Sequence, residues 1–154
     1  MSTRCQVKIE GNQALLYIHA DGSPESILPT LMPFVEKFKK ARGSDPKYML
    51  ARMVQVFTNE ADKEQEEFLA KMKEKPSPFS NMTASDFGSG MLGFGVCTDI
   101  HGDIEFLYVV SKTCAVEVRK VSGFGEDQQS FDTIGHFPIG TSVVDALKVC
   151  KAHE

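Results

Sequence analysis

Tryptophan is absent from the chain, and the phenylalanines and tyrosines are strung along apolar stripes, so the aromatic residues read as core. Cysteine is scarce. Cys5, Cys97, Cys114 and Cys150 lie far apart with no CxxC pair, which leaves neither a zinc-ribbon spacing nor a dithiol redox motif. In a reducing compartment they are expected to be small buried apolar residues, with no metal. Positive charge is also short: 17 Lys and Arg face 21 Asp and Glu, for a net charge of −4. That balance argues against a nucleic-acid partner and against an anionic membrane surface. No apolar run approaches the roughly 20 residues of a membrane span. The start, MSTRCQVKIE, lacks the apolar centre of a secretion signal, so the expected location is the cytoplasm.

What remains is ample material for a core. A chain of 154 residues with 42% hydrophobic content suits a single domain. Cys5, Val7 and Ile9 alternate with Arg4, Gln6, Lys8 and Glu10, which predicts a strand with one wet face. Gly11-Asn12 turns the chain into residues 14–18, a strand apolar on both faces and therefore central. Ser23 and Pro24 mark a helix start, and Ile27, Leu31, Val35 and Phe38 fall on one stripe. Pro29 and Pro33 interrupt that stripe and predict a bend or a separate first turn. Gly43 ends the helix; Asp45 and Pro46 begin another, and the charged run after Glu60 predicts further, solvent-facing helix.

The organising stretch is residues 92–121. Two strand-forming runs flank Asp99-Ile100-His101-Gly102-Asp103, and the spacing predicts a tight hairpin with His101-Gly102 at its tip. As a tip residue, His101 would be replaceable by Asn without loss. Cys114, Val116 and Val118 then share the buried face of a third strand, residues 122–130 form a flexible piece, and a short helix follows Gly140-Thr141. The expected architecture is α+β: an antiparallel sheet of about five strands, a hairpin plus a three-stranded meander, with two or three inserted helices and a short C-terminal helix.

Motifs that suggest chemistry are few. Residues 88–93 have the G-x-G-x-x-G spacing of a dinucleotide loop but open a strand rather than a helix, so no cofactor is expected. Asp86-Phe87-Gly88 matches the kinase metal triplet in a chain too short for a kinase. Residues 75–90, dense in Pro, Ser and Gly, form a long irregular connection of the kind that opens readily to proteases. Asp99, His101 and Asp103 place three potential ligands within five residues, and His19 and Asp21 form a second pair at a strand end. Turn chemistry explains the first group equally well. If the two groups converged they would make a two-histidine, multi-carboxylate binding site, and these five residues are the candidate site. No catalytic set is present. The lysines and Arg42 around residues 37–47 suit the dipole at a helix C-terminus.

The segments TRCQVKI, LYIHADGSPESILPTLMPF, DPKYMLARMVQVFTNE and GFGVCTDIHGDIEFLYVV together resemble a group of small uncharacterised proteins of bacteria, prophages and plasmids. In that group a strand pair ends in a tyrosine, a histidine and an Asp-Gly-x-Pro-Glu helix start. The resemblance implies a cytosolic accessory protein of a mobile element and carries no catalytic residue with it. The expected function is non-enzymatic: binding another macromolecule, most simply a protein, with inhibition of a host defence system as one form of that activity. The alternative is a small enzyme or a ligand- or metal-binding protein using His19, Asp21, Asp99, His101 and Asp103.

Overall fold

A computed structural model describes residues 2–72, 93–125 and 127–153. The elements are β1 (Cys5–Ile9), β2 (Leu15–Ile18), α1 (Pro24–Arg42), α2 (Pro46–Met72), β3 (Phe94–Cys97), β4 (Phe106–Val110), β5 (Val116–Ser122), β6 (Ser130–Phe137) and α3 (Val143–Ala152). The fold is α+β. Among the described residues its sheet has six strands in the order β3-β2-β1-β4-β5-β6 and is mixed, because β1 and β4 run parallel while every other described pair is antiparallel.

Two expectations fail here. The tight hairpin around His101-Gly102 does not form: β3 pairs with β2 at one end of the sheet and β4 pairs with β1, so residues 98–105 must cross two strands. Neither His101 nor Gly102 has the positive φ that a two-residue hairpin turn demands. The physical reason lies in long-range pairing. Gln6↔Leu107 and Val7↔Tyr108 put β4 beside a central strand buried on both faces, a larger gain than a local turn. The second failure is β6. Its sequence, SFDTIGHF, buries only Ile134, Gly135 and Phe137, because it is the last strand of the sheet and turns its other residues to water. Against β5 its register slips between Val118 and Arg119, which further breaks the alternation.

The helices share one face. Val7, Leu16, Ile18, Tyr108 and Val118 of the sheet meet Leu28, Leu31, Val35, Met53 and Ala146 in one continuous core. α1 is unbroken from Pro24 to Arg42, with both prolines inside it. Pro29 and Pro33 are exposed, so the donors they lack are missing from the side of α1 away from the sheet, while Leu28, Leu31, Met32 and Val35 hold the opposite side on the sheet. The charged run after Glu60 continues α2 without a break. Ser23 sits at the N-cap of α1 but makes no side-chain cap; Ser142 caps α3 by accepting from the Asp145 N–H. Cys5, Cys114 and Cys150 are buried as expected, but Cys97 is only half-buried. The connection at 75–90, the triplet at 86–88 and all of the glycine pattern at 88–93 except Gly93 lie outside the described residues.

Candidate functional site

The crossover from β3 to β4 is held by a side chain that alternation assigns to solvent. Gln6 is fully buried. Its Nε2 donates to the Asp99 carbonyl at 2.9 Å and its Oε1 accepts from the His101 N–H at 2.9 Å, so one carboxamide substitutes for a strand neighbour along the loop. Ile100 and Ile104 then pack with Leu15, Leu107 and Val121 in a second, smaller core beneath the open face of the sheet.

This pinning sets His101 and Asp103 over β1 and β2. Arg4 pairs with Asp103 Oδ2, and the Tyr17 hydroxyl donates to the same oxygen at 3.3 Å. The Tyr17 ring lies on the His101 imidazole with centroids 4.6 Å apart, and His19 approaches the same ring at 6.3 Å. Burial pushes the Tyr17 phenol above its ordinary pKa; the Asp103 carboxylate adds to the rise, and Arg4 opposes it. Asp103 Oδ1 is buried without a hydrogen-bond partner, 3.9 Å from His101 Nδ1.

Of the five candidate residues, His101 and Asp103 therefore meet, and His19 joins them only through Tyr17. Asp99 contributes its backbone carbonyl while the residue itself is exposed. Asp21 belongs elsewhere, on the rim of a cleft on the helical side. Among the described residues no group of three or more His, Cys, Asp or Glu could hold a metal ion. Arg4, Gln6 and Tyr17 were not candidates. The alternation of β1 hid the first two, and nothing in the sequence shows that β4 would carry Asp103 to them.

The cleft, of about 710 Å³, opens between α1 and α2 beside the end of β2. Residues 43–45 join the helices, and Phe57 is the last residue of α2 packed into the main core. Beyond it Glu60, Ala61 and Glu64 of α2 line the cleft. Ile18, Phe34, Phe57 and Phe94 make the cleft apolar, while Asp21, Glu25, Glu60 and Glu64 add carboxylates and Lys37 one cation. A tight turn places Asp21: its φ is +58°, and Gly22 beside it is so close to Cys5 that a Cβ there would lie 2.8 Å from the Cys5 Cβ. The Gly22 N–H donates to the Thr3 carbonyl, and its own carbonyl accepts from the buried Tyr108 hydroxyl at 2.7 Å. Among the described residues none of the four carboxylates has an ion-pair partner. The sequence does contain a sign of this surface in the i, i+4 spacing of Glu60 and Glu64, which puts like charges on one helical face.

No protein-family model, curated protein or solved structure matches the chain.

Proposed function

We propose that the chain is a non-enzymatic accessory protein that acts by binding another protein, and that the cleft between α1 and α2 is the contact surface. The observation that carries this reading is the pairing of an apolar interior with four carboxylates that nothing in the described residues neutralises. Apolar grooves beside charged rims suit protein recognition, in which the apolar part supplies affinity and the charges supply orientation. The resemblance to prophage and plasmid proteins supports placing this activity on a mobile element, where inhibition of a host defence system would be one use of it.

Ala61 lines the cleft, and tryptophan there would fill it. Affinity capture from a bacterial lysate should retain the same protein on the wild type and on Phe124→Ser, a change at an exposed loop away from the cleft, and lose it on Ala61→Trp. Identical captures by all three would refute the reading.

A second reading, ligand binding at the open-face cluster, is favoured by the unpartnered Asp103 Oδ1 beside His101. It is the weaker one, because Arg4 and Tyr17 already occupy the other oxygen of that carboxylate.

A further inference from the structure

The charged groups lining the cleft are mostly hydrogen-bond acceptors: Asp21, Glu25, Glu60 and Glu64. Pro29 and Pro33 both line it, and neither has an N–H to give to the carbonyl four residues earlier. The carbonyls of Glu25 and Pro29 are thus left without their usual intrahelical donors on the cleft side of α1. The cleft continues past Ala61 and Glu64 to Gln65, whose Oε1 is buried and has no donor among the described residues. Glu60 and Glu64 repel one another one turn apart, a small cost that a cation between them would remove. Among the described lining residues only Lys37 supplies positive charge.

Resting on the reading of the cleft as a protein-binding surface, we infer that its occupant is a basic amphipathic helix. The donors it must bring are Lys or Arg side chains, since the acceptors are carboxylates and carbonyls. The apolar interior asks for a hydrophobic face on the same element, which a free polyamine lacks. A hydrophobic groove between two helices can seat the apolar face of an amphipathic helix. Glu25 and Lys37 both border the cleft, twelve positions apart on α1, which at about 1.5 Å per residue gives a run of roughly 18 Å, or about three turns of partner. The basic residues of the partner lie at the mouth, by Asp21, Glu25 and Glu64, and away from Lys37.

Three fluorescein-labelled helical peptides of about 15 residues test this, with leucine on one face and lysine, glutamine or glutamate on the other. Fluorescence anisotropy should show the Leu/Lys peptide binding wild type, weakening roughly tenfold with Glu60→Gln/Glu64→Gln and failing to bind Ala61→Trp. Melting temperatures of both variants should stay near that of wild type. Equal binding of the Leu/Gln or Leu/Glu peptide, still blocked by Ala61→Trp, would overturn the basic character and leave the protein-binding reading intact. Binding of the Leu/Lys peptide that neither variant weakens would place it outside the cleft and overturn the inference. Absence of binding by all three peptides, or binding of spermine with none of the peptides, would also overturn it; the lysate capture then decides the broader reading separately.

Discussion

Gln6 and His101, 95 positions apart, are joined by a 2.9 Å hydrogen bond from the His101 backbone N–H to the Gln6 side chain. The same carboxamide donates to the Asp99 carbonyl, so one buried side chain holds both backbone partners of the crossover.

Gln6→Met keeps the length of the side chain and removes both partners. It should destabilise the fold by about 1–3 kcal/mol, the cost of removing the hydrogen bonds to a part-buried C=O and N–H. Chemical denaturation of wild type and variant gives the number; a loss under about 0.5 kcal/mol would mean that the loop holds itself.

His101→Asn separates the hairpin expectation from the structure. At a tight-turn tip the change would be neutral or favourable. Here His101 has no positive φ and its ring lies on Tyr17, so the variant should lose about 0.5–1 kcal/mol of stability. A rise in melting temperature would restore the hairpin reading.

The contrast shows what could be read in advance. The β1–β2 hairpin, the break at Gly43-Ser44-Asp45-Pro46 and the buried face of Val116 and Val118 all follow from local pattern, because neighbours in sequence decide them. The position of β4 does not, since its partner β1 lies about a hundred residues away and the intervening Asp99 to Asp103 looks like turn chemistry. β6 was missed because an outer strand needs few apolar residues. The cleft escaped for a related reason: Glu60 and Glu64 look like a solvated face until α1 and β3 are placed beside them.

Tyr17 offers a pH test. Its phenol has a raised pKa in the fold, so the protonated form is favoured there. The stabilisation is therefore complete below about pH 10, the ordinary value for tyrosine, and is lost as pH rises through the higher folded value. Ultraviolet titration of Tyr17→Phe should lose a component that ionises above the ordinary tyrosine range. An unchanged upper limb would show that Tyr17 titrates normally.

Thiol reactivity should divide the cysteines. Burial raises the Cys5 thiol pKa strongly, and Cys114 and Cys150 are equally enclosed, whereas Cys97 is half-exposed. Titration of native protein should label Cys97 first and the other three only on unfolding. Early labelling of Cys5 would contradict the packing of Gly22 against it.

Photocrosslinking tests the cleft most directly. A benzophenone amino acid at Thr30, which lines the cleft, should give a discrete protein adduct in bacterial cells, and the same group at Phe124 should give none. An adduct from position 124 with nothing from position 30 would contradict the cleft as the binding surface.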